Sequence, residues 1–182
     1  MRRFCISIGL LVLSQVGFAQ TVQLRYQSWS ADLVAEDKAV IVDLHEDGGV
    51  RVHRPEHWKH PGDCAFRLDD RLHQDLLEAL QTVTWRQNRG PNLAEQVESL
   101  DNELARTAGQ VFERSEAVLT VLTRYPLRRS TAEIFAYRDL DWDASRHPDL
   151  RELQEWQSLA QAMYALATDS RCVATQKQEA KP

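Results

Sequence analysis

The chain has 182 residues, 43% of them hydrophobic and 27% charged, with only 7 glycines and 6 prolines. That length suits one hydrophobic core and is short for two, and that composition is globular rather than disordered. The formal net charge is −5 and no basic stripe occurs, so phosphate backbones and anionic lipid surfaces are poor partners and nucleic acid is not expected.

Residues Met1 to Ala19 have the three-part order of a cleavable secretory signal peptide. Arg2 and Arg3 begin it, FCISIGLLVLSQVGF (4–18) is its apolar middle, and Gly17 and Ala19 are small residues at −3 and −1 before Gln20. Its apolar stretch of about 14 residues, interrupted by Ser7, Ser14 and Gln15, falls short of the roughly 20 that span a bilayer. Gln20, not a cysteine, takes the first mature position, which argues against a lipid anchor. The expected organisation is a leader at 1–19, one domain at 20–175 and a polar, disordered tail at 176–182. The expected location is the periplasm or the extracellular space of a bacterium, with no membrane anchor after cleavage. Loss of Arg2 and Arg3 leaves 20 basic residues against 27 acidic ones, a mature charge of −7.

Val22–Trp29 places Val22, Leu24, Tyr26 and Ser28 on one side of an extended segment and reads as a first strand. Ala39–His45, rich in β-branched residues, reads as a second. Glu46-Asp47-Gly48-Gly49 supplies the positive φ that a tight hairpin needs, and Val50–Arg54 returns antiparallel up to Pro55. The stretch 55–63 is a loop by its two prolines and its glycine, with a brief extended piece at Cys64–Leu68. Asp69 and Asp70 are N-caps for a helix over Arg71–Val83, with Leu72, Leu76, Leu77, Leu80 and Val83 on its apolar side. Asn92, with Glu95 three residues on, starts a second helix whose apolar face runs from Leu93 through Val97, Leu100, Leu104 and Ala108 to about Phe112. Ser115–Tyr125 and Thr131–Tyr137 read as two further strands, and Asp139–His147 as a loop. Pro148 suits the first position of a third helix, with Leu150, Leu153, Trp156, Leu159, Met163 and Leu166 as its buried stripe. The order ββ(β)ααββα predicts an α+β domain: an antiparallel sheet of about five strands with three helices packed mainly on one face.

Cys5 leaves with the leader. Cys64 and Cys172 remain, an even pair in an oxidising compartment. Their disulfide would close a loop of 108 residues, for which chain entropy gives about 4–5 kcal/mol. It would tie the end of the last helix to the segment before the first.

Candidate chemistry is sparse. His53, His57, His60 and Asp63 are ligand types that zinc or copper accepts, although Pro55 prevents their spacing from being one helix face. A solvated histidine-rich loop is the simpler reading, and no cofactor is expected. Asp139, Asp141 and Asp143 alternate along the chain but lack the glycine and distal Glu of a calcium loop. Asp43 and His45 sit two apart on one strand, the ordinary polar face of a sheet. There is no G-x-S-x-G, H-E-x-x-H or glycine-rich phosphate cradle, and oxidised cysteines are not nucleophiles, so no catalytic residue is assigned. Five tryptophans are many for this size. Trp58 and Trp142, in loops beside charges, are interface candidates or else loop anchors. The first-ranked function is a non-enzymatic exported module that binds another protein, of inhibitor or immunity type. A periplasmic metal-binding protein using the loop histidines, and a small hydrolase whose site leaves no local motif, are the alternatives. Intact mass of the exported protein is expected to start at Gln20 and to rise by two protons on reduction; a mass retaining Met1 would refute the leader.

Overall fold

A computed structural model of the chain describes residues 21–30, 38–87, 92–109, 118–125 and 135–172. Within these are six strands, β1 (Val22–Ser30), β2 (Ala39–His45), β3 (Gly49–Arg54), β4 (Gly62–Arg67), β5 (Val118–Arg124) and β6 (Phe135–Arg138). Four helices accompany them: α1 (Asp70–Gln87), α2 (Leu93–Ala108), α3 (Leu140–Arg146) and α4 (Arg151–Ala167). The α+β class, with an antiparallel sheet, is as the sequence indicates. One strand and one helix exceed the expected count. The expected leader, its expected cleavage site and the tail after Cys172 lie outside the described residues.

The sheet order is β4-β3-β2-β1-β5-β6, every neighbour antiparallel. Strands 1 to 4 form a meander. β5 then returns to the far side of β1, pairing Leu24 with Arg124 and Tyr26 with Leu122. Alternation sets the faces: Leu24 and Tyr26, Val40, Val42 and Leu44, and Val50 and Val52 are all buried on one side.

The β2–β3 turn shows why its glycine is needed. Gly48 has φ +80°, its N–H donates to the His45 carbonyl at 3.0 Å, and a Cβ there would stand 3.1 Å from the His73 ring. The Gly48 carbonyl in turn accepts from the Leu68 N–H at 3.0 Å, fastening the hairpin to the chain entering α1. Asp69 caps that helix, its carboxylate accepting from the Leu72 N–H at 2.9 Å. Asn92 caps α2 through the Ala94 N–H at 3.0 Å, and Gly109, at φ 62°, ends it in the left-handed conformation glycine favours.

The segment Asp139–His147 is not the loop its acidic composition suggests. Leu140, Asp143, Ala144 and His147 are all buried, at steps of three and four, which is a helical stripe. Two of its four positions are polar, so hydrophobicity alone hides the period. α4 begins at Arg151, later than Pro148, and its Leu153, Trp156, Leu159, Ala160, Met163, Leu166 and Ala167 are buried. It lies across β1, β2 and β3, with α1 against its flank and α3 between it and β5.

Cys64 and Cys172 are joined, with Cα atoms 5.4 Å apart. Cys64 lies within β4, where the sequence indicates a brief extended piece. Arg171 adds a second tie there: its Nη1 donates to the Arg67 carbonyl at 2.9 Å and its guanidinium stacks 4.4 Å from the Phe66 ring centroid. The chain leaving α4 is thus held to β4, one end of the sheet, by a disulfide and one carbonyl, and among the described residues β6 is the strand at the other end. Trp156 is completely buried, and Trp156→Ala is expected to cost about 3–5 kcal/mol. A urea midpoint close to that of the parent protein would contradict this packing.

Candidate functional site

Only two of the four candidate metal ligands come together. His53 and Asp63 face each other across β3 and β4, with Nδ1 and Oδ1 2.5 Å apart. His57 is exposed and His60 half-buried in the connecting loop. Among the described residues no three His, Cys, Asp or Glu side chains converge on a point where a metal ion fits. Trp58 and Trp142 are anchored on the helix-bearing side. The Trp58 ring meets Tyr164 edge-on at 6.1 Å, and Tyr164 meets Tyr26 in the same way at 5.8 Å. Burial pushes the Tyr26 phenol up to about 12, so it stays neutral across the physiological range. Trp142 is half-buried, with the Arg146 guanidinium 5.6 Å from its ring centroid.

The sheet face turned away from the helices carries a groove of about 500 Å³, lined by Ile41, Asp43, Arg51, His53, Asp63 and Ala65 among others. Two pre-formed pairs stand in or beside it. Arg25 holds Asp43 with two parallel bonds, Nε–Oδ1 at 2.6 Å and Nη2–Oδ2 at 2.8 Å, the fork geometry in which a guanidinium binds a carboxylate best. The Asp43 hydrogen bond raises the Arg25 guanidinium further above its ordinary value, against the opposing effect of burial. The second pair is His53 with Asp63. Half-buried Trp29 and Ile41 give this face its apolar part.

A separate polar network joins α2 to α3. The Asp101 carboxylate accepts from His147 Nε2 at 2.8 Å through Oδ1 and from Arg146 through Oδ2. Arg146 Nη1 also lies 3.5 Å from Asp143 Oδ1, and the Tyr137 hydroxyl donates to Asp143 Oδ2 at 3.0 Å. Asp143 is 1% exposed and His147 7%. Beside the network runs a cleft of about 550 Å³ between α2 and β6, lined by Glu98, Asp101, Asn102, Ala136, Tyr137 and Arg138 among others. Asp139, leading into α3, has φ 55°, the one non-glycine residue at positive φ among those described. Sequence reasoning missed this network because Asp101 lies 45 and 46 residues from its two partners. The one local signal was the four-residue step from Asp143 to His147.

Two buried ionisable side chains remain among the described residues. Arg54 is 2% exposed on the helix-facing side of β3, and its Nε and Nη2 meet no acceptor among the described residues. Burial pulls its guanidinium below the ordinary value. His45, 3% exposed at the end of β2, likewise has no described partner for either ring nitrogen.

The chain matches no protein-family model and no curated protein sequence.

Geometry alone therefore carries the functional argument, and it distinguishes the two polar places. In the α2–α3 network each member is bonded to another member, an arrangement that fixes helices rather than reactants. Burial would raise the Asp101 carboxyl, but hydrogen bonds and charge from Arg146 and His147 outweigh it and hold it below the usual range. A depressed carboxyl contributes stability above its unfolded value, about 4, and that contribution is lost as pH falls through the folded value. Asp101→Asn is thus expected to cost about 1.5–3 kcal/mol at pH 7, with the deficit shrinking as pH drops below about 4. Thermal melts of both proteins from pH 7 to pH 3 test this; a deficit that does not depend on pH would contradict it.

Proposed function

We propose that the mature chain is an exported, non-enzymatic binding module, of inhibitor or immunity type, which docks another protein on the open face of its sheet. The observation that supports this reading is the one-sidedness of the fold: the helices whose packing is described lie on a single face. The opposite face presents Trp29 and Ile41 among Arg25–Asp43, His53–Asp63 and Arg51. Aromatic and arginine side chains are the groups enriched at protein interfaces. Charges already held in pairs lose little further freedom when a partner arrives, which favours binding over chemistry. No described helix is long and apolar enough to cross a membrane.

Size sets a further condition. Six strands spaced about 4.8 Å apart, each some 20 Å long, offer on the order of 500 Å² in projection. A stable complex covers about 800 Å² on each side. Accessible area exceeds projected area on a surface of protruding side chains, so the open face is of the right order to hold such a partner.

The test is capture from a cell-envelope extract on immobilised mature protein, run in parallel with Ile41→Glu and Arg51→Glu variants whose melting is unchanged. One stoichiometric partner, retained by the parent and at least tenfold depleted on both variants, is the expected result. Repeated captures without a partner, or capture indifferent to both substitutions, would overturn the proposal.

A further inference from the structure

The groove on the open face sets conditions on what can occupy it. Its floor is a grid fixed by register. In one row Asp43 of β2 stands opposite Arg51 of β3, and Arg51 opposite Ala65 of β4; in the next, Ile41 stands opposite His53, and His53 opposite Asp63. Side chains alternate between the two faces of a sheet, so all six share the face turned away from the helices.

The charges on this grid differ in what they have left to offer. Both Asp43 oxygens are taken by the Arg25 fork, which draws the carboxylate toward β1 and leaves its side chain 13% exposed. Asp63 Oδ1 is turned to His53 Nδ1 at 2.5 Å. Arg51 is exposed, and no described group hydrogen-bonds or ion-pairs with its side chain. With Asp43 held by Arg25 and Asp63 by His53, Arg51 is the cation in the groove left without a counter-charge. A guanidinium has five N–H donors and no acceptor, so whatever settles against it must bring acceptors, and a carboxylate fits its fork best. Ala65, opposite Arg51, has a one-carbon side chain and leaves room beside it. Ile41 stands diagonally across from Arg51, and diagonal neighbours on paired strands lie about 7–8 Å apart. Alternate residues of an extended peptide project to one side at a spacing of about 7 Å, which matches that diagonal.

We propose that the groove seats an acidic side chain of the partner protein, its carboxylate on the Arg51 guanidinium above Ala65, with an apolar side chain two residues away resting on Ile41. This rests on the open-face reading above and deepens it, since it names the chemistry that the partner presents there. The Arg25–Asp43 fork keeps the neighbouring carboxylate turned from Arg51, so the guanidinium meets the incoming group uncommitted. The chain as a whole is acidic, so its distant charges repel such a partner. Screening over about 8 Å at physiological ionic strength leaves the local contact to decide.

The probe is a capped pentapeptide, serine–glutamate–serine–leucine–serine, titrated into the protein comprising residues 20–182. Binding is followed by the nitrogen–proton NMR signals of Arg51 Nε and of the His53 and Ala65 amides. Saturable shifts are expected, with at least fivefold weaker binding for the peptide carrying glutamine in place of glutamate and for the Arg51→Gln protein. Arg138→Gln removes another exposed cation, on β6, four strands away from β3, and is expected to leave binding unchanged. Absence of saturable shifts, equal binding of the glutamine peptide, or an equal loss in Arg138→Gln would overturn the assignment. Failure here is told apart from failure of the open-face reading. An envelope partner depleted on Ile41→Glu but retained on Arg51→Gln would overturn the acidic contact alone. Specific peptide binding with no partner in any capture would overturn the protein-partner reading alone.

Discussion

A single helix, α4, sits across three strands with Leu153, Trp156, Leu159, Ala160, Met163, Leu166 and Ala167 all buried. Its stripe covers the inward residues of β1, β2 and β3, and both α1 and α3 are placed by contact with it. Burial of this kind is non-directional, so it brings elements together without deciding their register. Register comes from the two-residue period of the strands, since a slip of one residue would turn Val42 and Leu44 outward. The disulfide acts at the end of α4, where Cys172 fixes the helix exit to β4. Core, register and staple thus agree on one arrangement, with all the described helix packing on the same side.

Much of this arrangement was legible in the sequence, for physical reasons that differ by element. The β2–β3 hairpin is a local problem of alternation and positive φ, and Glu46-Asp47-Gly48-Gly49 states both. The α4 stripe is legible because nearly all of its buried positions are apolar. α3 was not legible, since Asp143 and His147 fill two of its buried positions and are paid for by partners elsewhere in the chain. α2 shows the opposite case. Its apolar period continues through Leu100 and Leu104, yet Leu100 is 36% exposed and Leu104 only half-buried. Only Leu93 and Val97 reach the core. The helix lies at the margin, where an ion-paired carboxylate takes over from apolar contact.

The candidate sites divide in the same way. The pairing of Cys64 with Cys172 follows from counting if the segment 1–19 is read as a leader. The pairing of His53 with Asp63 needs the register of β3 against β4, and the place of β6 at the end of the described strands needs the order of the whole sheet. Neither is a property of any short stretch of chain. A search for local motifs therefore returns nothing, although the folded chain offers a charged groove on its open face and a polar cleft at its margin. The two places lie near opposite ends of one sheet.

The central position of β1 has a consequence for the order in which the molecule can assemble. β1 is the first strand made, and its second neighbour, β5, arrives roughly 100 residues later, as the pairing of Leu24 with Arg124 requires. At synthesis rates of about 5–20 residues per second that delay is some 5–20 s, and until it ends β1 is an open edge of whatever part of the meander has formed. Completion also waits for α4, which lies near the C-terminal end of the described chain. The topology delays completion of the sheet until nearly all of the described chain is available, and it leaves the half-made sheet dependent on whatever holds it meanwhile.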